Sequence, residues 1–299
     1  MKIKRHDLNK KRDLITLMQG TPERLKGRLQ NALEHLEQSR GIQLQYVKED
    51  PLNLFIYALT LGNHDENVFL GLRYFLDIGM AHFKQFQTSS SEITVRLGKK
   101  EYVLPSTDSL NGISIYGWRT LYSVAKILRD EAAEDFLLDI RKLISDNDPS
   151  EHAHMEAWSN YFFALKNGDA VARKKSEALI IKTAQTDKTH VQGNPKKVVY
   201  MGGRGEGFRR VNVPILELYE FALLKEENLF NERLGEYLKD RKQNILKDKD
   251  EEQPYSWIFI DTLACCAYAH DAGINIKVES EYIPAWVYQG MWKNQETIS

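Results

Sequence analysis

The sequence predicts an all-α protein that carries one short β-hairpin. Apolar residues recur at spacings of three and four through most of the 299 residues, which is the period of an α-helix. Helix ends are marked as well: Thr21-Pro22-Glu23 sets a capping residue before a first-turn proline, and Gly62, Gly168 and Gly273 each follow a helical stretch. Residues 92–104 instead alternate polar and apolar side chains around a central glycine, which is typical of a hairpin.

These signals place eleven helices along one domain, residues 1–299, whose first 45 residues form an amino-terminal helical segment. The predicted helices lie near 6–18, 22–39, 51–61, 65–87, 110–129, 132–145, 150–166, 169–185, 213–225, 227–246 and 255–272. Residues 186–212 are rich in glycine and interrupt the helical pattern, so we expect a loop insertion there.

A helix–turn–helix unit recurs in the chain. In each copy an aromatic residue lies close to an alanine, and the helix ends four or five residues after that alanine. The copies are Tyr57-Ala58, Tyr122 with Ala125, Phe163-Ala164, Phe221-Ala222 and a degenerate Ala267-Tyr268. A small residue beside a large one lets two helices approach closely. The pattern predicts stacked antiparallel helix pairs, either a tetratricopeptide-like or irregular α-solenoid or an ordinary irregular bundle.

The composition bears on compartment and partners. Lys and Arg total 41 against 42 Asp and Glu, so the basic excess of a dedicated nucleic-acid binder is absent and we expect no nucleic-acid partner. The charged amino terminus is unlike a secretory signal, and no apolar run reaches the roughly 18 residues of a membrane span. The two cysteines, Cys265 and Cys266, are adjacent, which suits reduced thiols. The sequence therefore predicts a cytoplasmic protein without a membrane partner.

The sequence contains no complete motif for catalysis or for binding a cofactor or metal. Gly203, Gly205 and Gly207 suggest a phosphate loop, but Val211 to Pro214 follow in place of an immediate helix start, and no Lys-Ser or Lys-Thr pair is present. There is no nucleophile elbow and no convergent carboxylate pair, and with only two cysteines we expect no structural zinc site. We expect no catalytic residues, no metal and no cofactor, and hence no enzyme.

The glycine-rich stretch is better suited to contact with a macromolecule. Arginine and aromatic side chains on a flexible segment are typical of protein recognition; a mobile loop without a ligand is the alternative. The predicted partner-binding residues are Tyr200, Arg204, Glu206, Phe208, Arg209 and Arg210.

Three motifs in order suggest a family. Ile93 to Leu97 is followed by Tyr102-Val-Leu-Pro105, Trp118 precedes a helix end at Arg129-Asp130, and the sequence Leu263 to Gly273 leads into Glu279-Ser-Glu-Tyr-Ile-Pro284. Between about residues 52 and 290 this succession resembles the immunity protein 49 family of bacterial polymorphic toxin systems. The residues that carry the resemblance, and that we expect to hold the scaffold together, are Trp118, Arg129, Asp130, Glu279, Tyr282 and Pro284.

The resemblance implies an antitoxin, active in competition between bacteria, whose partner is a cognate toxin domain that it blocks sterically. The glycine-rich insertion at 193–210 departs from the family pattern. Two other functions stay open: a tetratricopeptide-like adaptor that binds a peptide, which would recognise a short linear segment, and a helical enzyme, which would have a deep pocket with converging titratable groups.

Overall fold

The computed structural model describes residues 1–8, 20–39, 48–62, 66–87, 90–98, 100–107, 115–147, 153–184, 188–190, 198–200 and 204–291. The helices in these ranges are α1 (Thr21–Glu34), α2 (Asp50–Thr60), α3 (Glu66–Gln87), α4 (Ile115–Leu128), α5 (Glu131–Asn147), α6 (Ala153–Lys166), α7 (Ala170–Ala184), α8 (Arg204–Leu223), α9 (Glu227–Asp248), α10 (Ile260–Asp271) and α11 (Ala285–Tyr288). The strands are β1 (Lys2–Ile3), β2 (Glu92–Leu97), β3 (Lys100–Pro105), β4 (Lys188–His190), β5 (Val198–Tyr200) and β6 (Glu279–Ser280).

The predicted fold class is confirmed: the described chain is mainly helical, and β2 and β3 form the expected antiparallel hairpin. Their register runs from Glu92 opposite Pro105 to Leu97 opposite Lys100, and Gly98 supplies a positive φ of 62° at the turn. Two further pairs were not predicted. β1 lies parallel to β6, and β4 lies antiparallel to β5. The strands of both pairs are only two or three residues long, which is too short to show an alternation of polar and apolar residues in the sequence.

The first predicted helix, 6–18, differs from the structure where it can be compared. His6, Asp7 and Leu8 lie outside any helix, and residues 9–19 lie outside the described residues. At the other end, the predicted 255–272 helix divides into a single 3-10 turn, Pro254–Ser256, and α10.

The prediction of a continuous loop over 186–212 is wrong. Residues 188–190 and 198–200 are strands, and α8 begins at Arg204, so Gly205 and Gly207 lie inside a helix. Pro214, which we placed at a helix start, lies inside α8. Glycine and proline both lower local helix propensity. Packing overrides this local preference, since α8 lies against α7, α9 and α10.

Helices that follow one another in the chain generally pack against one another, and α10 sits at the centre, in contact with α4, α8 and α11. Cys265 and Cys266 on α10 are fully buried, as are Leu263 and Ala267. This position explains why the stretch preceding Ala269 is so apolar: α10 has neighbours on several sides and presents little surface to solvent.

The recurring alanine marks a shared type of helix ending. In five of the described helices the last turn is closed by a backbone N–H that donates to a carbonyl five residues earlier, the pattern of a Schellman motif. The bonds are Asp130 to Ala125 (3.0 Å), Asp169 to Ala164 (2.9 Å), Glu226 to Phe221 (2.9 Å), Asp250 to Ile245 (3.1 Å) and Ile274 to Ala269 (2.9 Å). The residue before each donor has a positive φ: Arg129 (52°), Gly168 (69°), Lys225 (57°), Lys249 (61°) and Gly273 (92°). This hydrogen bond spans five residues, which explains why each helix ends four or five residues after the recurring alanine.

Candidate partner-binding site

The predicted partner-binding residues lie at the start of α8 and on the strand before it. Tyr200 is on β5, and the other five occupy the first two turns of α8. The side chains of Tyr200 and of 204–209 lie outside the described residues, so their role stays a prediction. Arg210 is half-buried, and its guanidinium donates to the Asn244 Oδ1 on α9 at 2.9 Å. This bond ties the beginning of α8 to the neighbouring helix.

Arg129 connects the end of α4 to the carboxyl-terminal part of the chain. Its guanidinium forms a two-point ion pair with Asp271 (3.0 and 3.1 Å) and donates to the carbonyl of Ile127 at 2.8 Å and to that of Tyr288. Bidentate geometry of this kind fixes both orientation and distance. Arg129 therefore joins the ends of α4, α10 and α11.

Asp130, the next residue, serves two neighbouring helices. One carboxylate oxygen accepts the N–H of Ala133 at 3.0 Å in the first turn of α5, and the other pairs with Arg73 of α3 at 2.6 Å. A carboxylate at a helix amino terminus satisfies an unpaired donor and offsets the positive end of the helix dipole. The Arg129-Asp130 motif thus ends one helix and begins the next.

Trp118 occupies the interior of the same region. It is fully buried, its indole N–H donates to the Leu137 carbonyl of α5 at 2.7 Å, and its ring stacks on Tyr122 with centroids 5.6 Å apart. A buried indole needs a partner for its N–H, and the α5 backbone supplies one. The contact holds α4 against α5.

The closing motif binds the amino-terminal segment. Tyr282 is fully buried and stacks on Phe259 with centroids 4.5 Å apart, while its hydroxyl oxygen accepts the backbone N–H of His6 at 3.1 Å. Glu279 is exposed and pairs through its backbone with β1, and Pro284 precedes the first turn of α11. The motif thereby links residues 276 positions apart.

The protonation of His6 follows from its neighbours. Burial is the largest cause that lowers the pKa of His6, and burial likewise raises the pKa of Tyr282. The His6 Nε2 lies 3.1 Å from the Glu251 carbonyl, which can only accept, so Nε2 carries the proton. The Nδ1 is then free of a proton and accepts from the Tyr282 hydroxyl at 3.1 Å. This chain of hydrogen bonds lies within the protein, and both ring nitrogens of His6 have a partner.

Sequence reasoning missed a set of buried charges between the helices. Glu220 of α8 accepts the Tyr161 hydroxyl at 2.9 Å and pairs with Arg173 of α7 at 3.0 Å. Arg119 of α4 is also buried and pairs with Asp261 of α10 at 3.1 Å. No local signal marks these residues, because the partners come from different helices; only the apolar character of their neighbours hints at burial.

A groove of about 840 Å³ lies along the amino-terminal strand, between the end of α2 and residues 276–289. It has both signs of charge: the charged residues in its walls are Lys2, Lys4, Arg5, Asp7, Glu279 and Glu281. His6 also lines the groove, but its ring nitrogens are already hydrogen-bonded to Tyr282 and Glu251. The balanced charge selects neither an anionic nor a cationic ligand.

The two cysteine thiols lie in the core. Burial raises the pKa of both Cys265 and Cys266, so their thiols stay protonated. Across the described ranges no three His, Cys, Asp or Glu residues are grouped as metal ligands. Within the same residues no helix has the length and apolarity needed to cross a membrane.

Comparison with known families decides the relationship. The family model for immunity protein 49 matches residues 50–287, which is most of the chain and includes all six residues of the sequence motifs. The chain belongs to the immunity protein 49 family. The resemblance predicted from the sequence is therefore confirmed. No curated protein and no solved structure gives a significant match.

In this member of the immunity protein 49 family, the motif residues make structural contacts. The contacts of Trp118, Arg129, Asp130 and Tyr282 described above are all made within the chain. Side chains engaged in this way position helices, and Trp118 and Tyr282 are fully buried. The glycine-rich stretch also lies inside the matched span, and among its described side chains Arg210 contacts Asn244 and Asn212 contacts Arg119.

Proposed function

We propose that the protein is an immunity protein that binds a cognate toxin domain in the cytoplasm and neutralises it by covering its active site. The family match over residues 50–287 carries this proposal. The partner is a folded protein domain, and inhibition needs no chemistry by the immunity protein. Bacterial competition is the setting in which such a pair would operate.

A rigid helical scaffold suits inhibition by occlusion. The core contains many large side chains that are fully buried, among them Trp118, Trp158 and Trp257, and ion pairs cross between helices. A surface that changes little on binding loses little conformational entropy, which favours tight association. Exposed side chains, rather than buried motif residues such as Trp118 and Tyr282, would then contact the toxin.

The start of α8 is one candidate for that contact. Arg204, Arg209 and Arg210 bring three positive charges within two helical turns, with Phe208 beside them, and Tyr200 precedes them on β5. Arginine and aromatic residues dominate the energetics of protein interfaces. Replacement of Arg209 by alanine should weaken toxin binding if this segment is in the interface.

Growth rescue tests the proposed function. The polypeptide encoded by the reading frame adjacent in the native genome is expressed in a heterologous bacterium, alone and together with this chain. We expect growth arrest in the first case, growth in the second, and a complex of fixed stoichiometry in size-exclusion chromatography with light scattering. Arrest that persists in the presence of the folded chain, with no complex, would refute the proposal.

The same complex separates the proposal from the adaptor alternative. An antitoxin binds the intact toxin domain and not its unfolded segments, whereas an adaptor binds a short peptide. Overlapping peptides that span the toxin domain should therefore show no binding. A single peptide that reproduces the full affinity would favour the adaptor.

A further inference from the structure

The first eight residues lie along the closing motif of the chain, and we call residues 1–8 the amino-terminal strap. β1 of the strap pairs in parallel with β6, and the Glu279 N–H donates to the carbonyl of Met1 at 2.9 Å. The pairing covers only two residues of each strand. A two-stranded pair is marginally stable by itself, so other contacts must hold the strap in place.

Charged side chains supply some of these contacts. The Arg5 guanidinium donates to the carbonyl of Glu281 at 2.9 Å, and the Arg5 backbone N–H donates to the carboxylate of the same residue at 2.7 Å. From α9, the ammonium group of Lys242 donates to the carbonyl of Lys4 at 2.9 Å. All three bonds are exposed, so water competes with them and each contributes little to closure of the strap.

His6 provides the buried contact of the strap, since its side chain is only 4% exposed. Its Nε2 donates to the Glu251 carbonyl at 3.1 Å, and its Nδ1 accepts from the Tyr282 hydroxyl at 3.1 Å. The oxygen of that hydroxyl accepts the His6 backbone N–H, also at 3.1 Å. The ring therefore joins the strap to two distant segments, and it can do so in this way only while it is neutral.

A second proton on His6 is incompatible with this arrangement. The Nδ1 would become a donor, and its N–H would face a Tyr282 oxygen that already accepts the His6 backbone N–H. The hydroxyl proton of Tyr282 would at the same time lose its acceptor. A buried polar group without a partner is costly, so protonation favours an open strap in which water can solvate the ring.

The charges around the ring have both signs. The groups that face His6 and Tyr282 come from the strap, from α9 and from the segments at 251 and 281: Arg5, Arg241, Lys242, Glu251 and Glu281. Burial is the largest cause that lowers the pKa of His6 below its ordinary value of 6.5. A ring that is released into water regains its ordinary pKa. The open strap therefore binds a proton more readily than the closed one.

We propose that the amino-terminal strap is a pH-sensitive device: neutral His6 holds residues 1–8 against the closing motif, and protonation of His6 releases them. Because the closed strap binds fewer protons than the open one, closure is fully favoured above about pH 6.5 and is lost progressively as the pH falls toward the pKa of the closed form. Residues 2–8 line the groove beside the end of α2, so release of the strap removes one wall of that groove.

Hydrogen exchange measured by mass spectrometry tests this device. Protection of a peptide from the strap is compared with that of a peptide from the buried helix α10, at about pH 7.5 and about pH 5.5, a range in which histidine is the side chain that ordinarily changes charge. Observed rates are divided by the intrinsic rate at each pH, so that the ratio reports the opening equilibrium.

Two variants are measured alongside the wild type. His6→Gln keeps a donor and an acceptor at this position but cannot take up a proton in this range. His35→Gln is the matched control, because it removes an exposed histidine that follows α1.

We expect protection of the wild-type strap to fall between the two pH values by at least about threefold more than protection of α10. The control variant should behave like the wild type, and the additional fall should disappear in His6→Gln. Equal strap protection at both pH values, an unchanged fall in His6→Gln, or an equal fall in α10 would overturn the proposal.

Tyr282→Phe gives a second test that does not depend on how well glutamine replaces the ring of His6. It keeps the aromatic ring that stacks on Phe259 and removes the hydroxyl that His6 contacts. At about pH 7.5 we expect strap protection to fall by about fivefold, with protection of α10 unchanged. Strap protection equal to that of the wild type would show that this hydroxyl does not hold the strap and would also overturn the proposal.

Discussion

Replacement of Arg129 by alanine should destabilise the protein by about 3 kcal/mol, because it removes the contacts that join α4 to α10 and α11. The guanidinium donates to the carbonyls of Ile127 and Tyr288, and a hydrogen bond from a charged donor contributes about 1.5 kcal/mol. The pair with Asp271 adds less, because that carboxylate side chain is 49% exposed and screened by water; such pairs contribute up to about 1 kcal/mol. The two hydrogen bonds and the screened ion pair together contribute about 3–4 kcal/mol, and relaxation of the neighbouring residues in the variant brings the expected loss to about 3 kcal/mol.

Replacement of Arg129 by glycine should cost less than replacement by alanine. The residue has a φ of 52°, in the left-handed region that disfavours any side chain by about 1 kcal/mol or more. Glycine loses the same contacts as alanine but removes that strain, so we expect a loss of about 2 kcal/mol. Lys225, with a φ of 57° and an exposed side chain, is the matched control: Lys225→Gly should stabilise the protein by about 1 kcal/mol.

Urea denaturation followed by tryptophan fluorescence measures all three variants, and thermal midpoints should follow with shifts of roughly 2 °C per kcal/mol. A double-mutant cycle with Asp271→Asn isolates the ion pair. If Arg129→Ala lowered the free energy of unfolding by less than about 0.5 kcal/mol, the link between α4, α10 and α11 would not depend on this side chain. A glycine variant less stable than the alanine variant would contradict the strain argument.

Three other changes test the interior. Glu220→Ala leaves the buried Arg173 guanidinium without its main partner and should reduce the free energy of unfolding by about 3–5 kcal/mol in urea titrations, whereas a loss below 1 kcal/mol would show that water replaces the carboxylate. Gly27→Ala should stabilise α1 by about 0.5–1 kcal/mol, because a Cβ there meets nothing within 4 Å. Gly71→Ala should destabilise the protein, because its Cβ would lie 2.5 Å from a backbone oxygen of α2. Equal thermal midpoints for the two variants would contradict this packing. Burial lowers the pKa of His82 from 6.5 to about 4, so the folded state binds fewer protons than the unfolded state and stability should fall by about 3 kcal/mol as pH drops from 6.5 to 4. His82→Gln should flatten that part of a pH titration of the thermal midpoint, and an unchanged slope would place the proton uptake elsewhere.

Most of the described helices could be located from the sequence to within a few residues because their signals are local; residues 6–8 of the first predicted helix are not helical, and the short α11 was not predicted. The 3.6-residue period, first-turn prolines and left-handed glycines such as Gly168 act within one or two turns of the chain. The start of α8 was misplaced because glycines 205 and 207 and Pro214 oppose a helix locally, and contacts with α7, α9 and α10 outweigh that preference.

The motif residues were identified from the sequence, but their contacts were not. Nothing in the chain order shows that Arg129 meets Asp271, or that Tyr282 meets His6 across 276 positions. The sequence by itself determined the all-α class, the hairpin and the family, since these depend on local periodicity and on the order of motifs. Only the tertiary structure decided which charges are buried together and which face of α7 is left exposed, because both depend on how distant helices pack.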